Sequence, residues 1–279
     1  MRSKLFVPCS RPEFFDKALA SAADALSFDL EDSVPAGGKV AARERLAAFL
    51  GSDAAHRTAK LLIVRVNDPR GPDFAADLDV LRGCRFGMLN IPKIDDPAGL
   101  IAAARAIAAV RSDPVDLLVN IESARALAHA AGIAGAHPDV KGLQVGLNDL
   151  FATLGAQRRD PRNVHAALWQ VRLGAASTGV FACDGAWPDL RDEAGFRAEA
   201  EMARALGYIG KTCIHPGQIA AANRIFEPER DLATARRLVA AARVAAADGR
   251  GAFLFEGRMV DRPMIVEAEA LLERAGGAA

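Results

Sequence analysis

The chain has no excess of charge of one sign, few cysteines, little aromatic character and no long apolar run, and each shortage removes a class of protein. Its 35 basic and 35 acidic residues cancel to a formal net charge of zero, so no long-range field gathers nucleic acid or an anionic membrane surface. Its four cysteines, Cys9, Cys84, Cys183 and Cys213, include no C-x-x-C pair, which argues against a zinc ribbon or a dense disulfide framework. They read as reduced thiols of a cytoplasmic protein. No segment of membrane-spanning length is free of charge, and the N-terminal run LFVPC meets Arg11 and Glu13 before it reaches signal-peptide length. Neither a nucleic-acid nor a membrane partner is expected. Common nucleotide and hydrolase signatures are missing as well. No G-x-G-x-x-G follows a strand, and there is no G-x-S-x-G elbow or H-E-x-x-H. GYIGKT at 207–212 has Ala205 where a phosphate loop needs its first glycine, and it leads into a strand instead of a helix.

What is present is an aliphatic, alanine-rich chain of 279 residues, 51% hydrophobic but only 6% aromatic, a composition suited to a helix-rich α/β core. Eight short β-rich runs recur along it: LFVP (5–8), LSFDL (26–30), LLIVRV (61–66), GMLNIP (87–92), LLVNI (117–121), GLQVGL (142–147), GVFAC (179–183) and KTCIHP (211–216). Most are continuously apolar instead of alternating, as parallel strands buried on both faces are, and helical stretches fill the gaps. Ser10 and Glu13 around Pro12 read as an S-x-x-E capping box, and DPAGLIAAARAIAAV (96–110) reads as a helix opened by Asp-Pro. Eight βα repeats favour a closed (β/α)8 TIM barrel, residues 1–225, over an open doubly wound sheet. Residues 226–279 form a C-terminal helical extension, with helices over 228–247 and 262–275 joined by GRGAFLFEGRMVD. The extension is expected to belong to the same structural unit, as a lid, an oligomer arm or a capping hairpin.

A barrel collects its chemistry at the C-terminal ends of its strands, and here those ends carry Asp29, Glu31, Asp32, Arg65, Asn67, Glu122, Asn148, Asp149 and His215. Carboxylates grouped with one strand-borne arginine suit a hard divalent cation and an anionic substrate. Glu122 and Asp149 stand one βα repeat apart, so both are expected at the ends of neighbouring strands and able to share one Mg2+. The plain alternative is that each caps the helix that follows it. Arg65 interrupts an apolar strand and needs an anion. That anion is either a substrate carboxylate or a buried partner such as Asp29 or Asp32. Alternation along strand two keeps Asp29, Glu31 and Asp32 from all facing one ion, so one or two of them are expected to hold water or the arginine in place. His129, His137 and His165 fall in helices or connections, and His215 is expected to make a structural hydrogen bond.

The motifs RSKLFVPCSRPEFFDKAL, FDLEDSV followed by KVAAR, VRVN, the IP-K pair at 91–93, NIESARAL, GLNDL, GYIGKTCIHPGQI and GRMVDRPM resemble the citrate lyase β-subunit family, which includes malyl-CoA and citramalyl-CoA lyases. The resemblance runs from residue 2 to about 275, with the motifs in family order. It implies a (β/α)8 barrel and Mg2+ held by Glu122 and Asp149, with Glu122 and Arg65 meeting the substrate. It also implies that Asp261, in the G-x-M-x-D motif, belongs to a lid reaching a neighbouring subunit's site, and hence a homo-oligomer, trimer or hexamer. The implied reaction cleaves a 3-hydroxy-3-carboxyacyl thioester to a 2-oxoacid and an acetyl thioester, with oxoacid and acyl-CoA, or an acyl-carrier thioester, as small-molecule partners. Departures are few. Cys9 replaces a usual glycine, DGAWPD (184–189) replaces DGVY-x-D, and Asp32 stands where related 2-oxo-3-deoxy-acid aldolases carry histidine. A metal-dependent aldolase of a free hydroxy-oxoacid and a non-catalytic oxoacid- or acyl-CoA-binding paralogue are the alternatives.

Overall fold

Eight parallel strands close into a barrel in sequence order in the computed structural model, which describes residues 1–227 and 229–276. They are β1 (Ser3–Pro8), β2 (Ala25–Asp29), β3 (Leu61–Arg65), β4 (Met88–Ile91), β5 (Asp116–Ile121), β6 (Val140–Val145), β7 (Phe181–Ala186) and β8 (Lys211–Cys213). β8 closes onto β1 through the register Ser3 to Lys211 and Leu5 to Cys213. Every run expected to be a strand is one, and the continuous apolar character has the expected cause: each strand is covered inside by its fellows and outside by a ring of helices.

Local chemistry starts the helices. Asp96 accepts from the Gly99 amide at 2.9 Å with Pro97 in the first turn. Asp160 and Asp192 cap Pro161–Ala176 and Glu193–Ala205 in the same way. The capping box at Ser10 does not form. Ser10 Oγ donates to the Ser33 carbonyl and Glu13 pairs with Arg11, while the chain passes through a 3-10 turn at Pro12–Phe14 before the short helix Phe15–Leu19. The hydroxyl is drawn across to the loop after β2, leaving no side-chain cap. Outside β2, Phe15, Phe28 and Phe49 form an aromatic trio with ring centroids 4.9 to 5.2 Å apart, locking the first two helical layers to the strand.

Along β2 to β5 the inward side chains grade from apolar to charged. Ala25, Ile63, Met88 and Leu118 make one buried cluster. Two residues further along their strands stand Ser27, Arg65, Asn90 and Asn120, and one more step brings Asp29 and Glu122. Strand alternation therefore delivers the charged groups to the C-terminal mouth.

The described chain divides into two compact units, Met1–Phe226 and Glu227–Ala279. The second unit has its own core of Leu238, Val239, Phe253 and Val260 between the helices Glu229–Ala247 and Arg262–Gly276. Its joint is not the plain glycine-rich connection expected, because β9 (Phe253–Phe255) and β10 (Arg258–Val260) pair antiparallel there. Pro228 and residues 277–279, part of the expected extension, lie outside the described residues.

Candidate active site

The mouth of the barrel gathers most of the predicted residues. Arg65, the last residue of β3, lies beside Asp29, the last of β2, because the two are register partners. The guanidinium donates sideways to Asp29, Nε to Oδ1 at 2.7 Å and Nη2 to Oδ2 at 2.8 Å. Its Nη1 is 2.8 Å from Glu31 Oε2 and 3.9 Å from Asp32 Oδ2. Two of the acids, Asp29 and Glu31, thus hold the arginine as expected, with the exposed Asp32 further off. The strand ends at Asp29, and the chain bends where Asp29 accepts from the Glu31 and Ser33 amides. Alternation no longer applies beyond that bend. Of the two anions open to Arg65, the structure contains the protein one. Nη1 makes no aligned hydrogen bond among the described residues, and its contact with Glu31 is an ion pair alone.

Electrostatics separate the three acids. Burial works against the Asp29 carboxylate, but Arg65 outweighs it and holds Asp29 below the usual range. Burial pushes Glu31 up to about 8, with Asp32 and Glu122 adding to the shift and Arg65 and Lys93 opposing it. Glu31 Oε2 is buried with no aligned hydrogen bond, so its charge is met by the Arg65 ion pair alone.

Glu122 follows β5 directly. Its Oε1 accepts from the Lys93 amide at 2.7 Å and its Oε2 from Asn120 Nδ2 at 3.0 Å. Asn120 in turn accepts from Asn90 at 2.8 Å, so a ladder of amides climbing the barrel interior orients the carboxylate. Gly146 leaves room for it, since a Cβ there would lie 2.5 Å from Glu122 Cβ. Asp149 is not at a strand end. It sits in the first turn of the helix Leu147–Leu154 after β6 and is half exposed, and its carboxylate leans back over the mouth to Lys93.

Lys93, two residues past β4, is the residue that strand-end reasoning passed over. Its Nζ is 2.8 Å from Asp149 Oδ2, 3.6 Å from Glu122 Oε1 and 3.8 Å from Glu31 Oε1. Lys39 was missed too. It donates to the carbonyls of Leu30 and Glu31 and to Asn67 Oδ1 at 2.6 to 2.7 Å, tying the acidic bend to the exit of β3. Asp77 holds Asn67 from behind. The remaining candidates turn elsewhere. Asn148 accepts from Arg158, and His215 accepts from the Gly217 amide, the structural bond expected of it. Asp261 is an exposed residue of the second unit at the start of the helix Arg262–Gly276, and its carbonyl accepts from Ile265.

The donor set fits a hard cation. Glu31 Oε1, Glu122 Oε1 and Asp149 Oδ2 all lie within 3.8 Å of the one position that the Lys93 ammonium occupies. Among the described residues no three histidine, cysteine, aspartate or glutamate side chains enclose a metal by themselves. An ion here would complete its shell with water and substrate oxygens, as magnesium commonly does.

With this geometry in hand, residues 2–216 match the model of the HpcH/HpaI aldolase/citrate lyase family. The chain belongs to that family. A citrate lyase subunit beta-like protein of Deinococcus radiodurans is 40% identical over 98% of this chain and 96% of its own length. An L-malyl-CoA/beta-methylmalyl-CoA lyase of Cereibacter sphaeroides is 35% identical over 98% and 94%. Among solved structures, the family's CitE protein from Mycobacterium tuberculosis, in complex with magnesium, acetoacetate and coenzyme A, is 37% identical. It superposes with a TM-score of 0.79 over 99% of this chain and all of that one.

Proposed function

We propose that this family member is a Mg2+-dependent carbon–carbon lyase. It cleaves a malyl-, citramalyl- or citryl-CoA-type thioester to a 2-oxoacid and acetyl-CoA. The observation that carries this reading is the convergence of Glu122, Asp149 and Glu31 on one cation position beside Arg65. The relatives named as malyl-CoA lyase and citrate lyase β-like, and the neighbour holding magnesium and coenzyme A, support the substrate class. Four unpaired cysteines, three of them buried, suit the reducing cytoplasm.

Glu122 and Asp149 would hold the metal. Bound there, it supplies a Lewis acid that lowers the substrate hydroxyl pKa and stabilises the nascent carbonyl. The chain's own residues do the rest. Arg65, braced by Asp29, exchanges its Nη1 contact with Glu31 for the substrate carboxylate and fixes the bond to be broken against the cation position. Asp29 holds the arginine in that pose, with Glu31 and Asp32 beside Nη1 as its resting counter-charges. Asp261, on the lid unit of a neighbouring subunit, protonates the enolate carbon of the departing acetyl thioester.

The test is a panel of malyl-, citramalyl- and citryl-CoA with Mg2+, read by mass detection of the 2-oxoacid, on wild type and Asp149→Ala. Wild type should yield one 2-oxoacid. Asp149→Ala should keep its circular-dichroism spectrum and lose most cleavage, because a half-exposed carboxylate contributes little to the core. Full activity in the variant would remove the metal assignment, and cleavage of a free hydroxy-oxoacid without coenzyme A would instead favour an aldolase.

A further inference from the structure

Five carboxylates, those of Asp29, Glu31, Asp32, Glu122 and Asp149, meet at the mouth, and two cations, Arg65 and Lys93, answer them. The two cations divide the work. Arg65 is 13% exposed and clamped by Asp29 through two aligned hydrogen bonds, so it stays where it is. Lys93 is 29% exposed, and its only aligned side-chain bond is to Asp149, itself 45% exposed. Its four-carbon stem can swing the ammonium into solvent.

The backbone of Lys93 is unusual as well. Its φ is +56°, and among the described residues Glu256 is the only other non-glycine residue with positive φ. A left-handed lysine is strained. The bond that holds this one is its own amide donating to Glu122 Oε1 at 2.7 Å. Main chain and side chain of one residue thus grip the same acidic pair, the amide on Glu122 and the ammonium on Asp149.

Building on the metal site proposed above, we propose that Lys93 is a built-in counter-ion that exchanges with Mg2+. In the metal-free protein its ammonium occupies the cation position and offsets the repulsion among Glu31, Glu122 and Asp149. When the metal binds, the ammonium leaves Asp149 while the amide keeps hold of Glu122. Two mutually exclusive cations then compete for one set of oxygens. The protein's Mg2+ affinity is therefore lower than its carboxylates alone would set.

The experiment uses the full chain stripped with chelator, and compares wild type with Lys93→Met, Lys93→Gly and Lys93→Arg. Mg2+ binding is read by calorimetry and melting temperature by circular dichroism with and without Mg2+. Lys93→Met removes the charge at similar volume. Lys93→Gly removes it while relaxing the positive φ and keeping the amide, so it covers a failure of the first variant to fold. Both should bind Mg2+ about 3- to 10-fold tighter, since a cation no longer has to be displaced. Lys93→Met should melt lower than wild type without metal, and both variants should gain more from adding it. Lys93→Arg should stay within about twofold of wild type. Unchanged or weaker Mg2+ binding in both neutral variants, with wild type binding normally, overturns the exchange and leaves the metal site intact. A wild type that binds no Mg2+ removes the metal site itself, and the exchange with it.

Discussion

Lys4 sits wholly inside the barrel beneath Arg65, its ammonium bonded to the neutral amide oxygen of Gln144 and placed 4.7 Å from the centre of the Phe6 ring. Phe6 carries the Arg65 guanidinium at the same distance. Burial lowers the Lys4 pKa from 10.5 to about 8; Cys183 and Asp29 oppose the shift and Arg65 adds to it. A lysine lowered in the fold binds its proton more weakly there than in the unfolded chain. Stability therefore rises with pH between about 8 and 10.5, and below 8 the full penalty, about 3 kcal/mol, is present. Lys4→Met should stabilise the protein at pH 7 and flatten that rise, as urea midpoints at pH 7 and pH 9.5 would measure. Equal pH slopes in both proteins would show that Lys4 does not titrate there. Such a residue is invisible to sequence reading, since Lys4 stands in a run that looks like any strand beginning. Arg65 was legible because a guanidinium in an apolar strand demands an anion. Which anion it meets was not, because that depends on where β2 stops and the chain bends.

At the scale of elements, all eight strands could be located because most are apolar throughout, but their ends moved by up to three residues: GVFAC (179–183) lies in β7 (Phe181–Ala186) and KTCIHP (211–216) shortens to β8 (Lys211–Cys213). The β9–β10 hairpin could not, since two three-residue strands within GRGAFLFEGRMVD are too short to show a period. The pair Glu122 and Asp149 was legible as a spacing, but their heights were not. β6 ends at Val145, and the helix begins at Leu147, which moves Asp149 from a strand end into a helical turn. The joint between them is Gly146, whose added Cβ would fall 2.5 Å from Glu122 Cβ and 3.0 Å from its Oε2. Gly146→Ala should therefore push the Glu122 carboxylate off its amide ladder. We expect Mg2+ binding weakened by about tenfold, and stability lowered by about 1–3 kcal/mol as for other overpacked positions. Calorimetry and urea unfolding separate the two effects. Wild-type Mg2+ affinity in a folded Gly146→Ala protein would mean that Glu122 does not need its present position to serve the ion.

At the scale of the molecule, two compact units share the chain, and the proposed chemistry needs something from each. The barrel unit carries the carboxylates and Arg65, and the second unit carries Asp261, exposed at the head of its last helix. A general acid must approach the reacting carbon, whereas an exposed aspartate on a separate unit could simply cap a helix, so Asp261 calls for a functional test of its own. Asp261→Ala should slow turnover while leaving 2-oxoacid affinity unchanged, because the residue acts on the acetyl half of the substrate. Arg65→Ala should fail for the opposite reason. If Asp261 serves a neighbouring subunit, co-expressing the two variants with different tags and purifying the mixed oligomers returns activity to about one site in three for a trimer and about one in four for a larger ring. That share pairs an intact Arg65 with an intact Asp261 from the next chain in a closed symmetric assembly. Verified mixed oligomers as inactive as their parents would place the acid and the arginine within one chain or remove Asp261 from the reaction. Retained 2-oxoacid binding by Asp261→Ala alone, with turnover unaffected, would remove it outright.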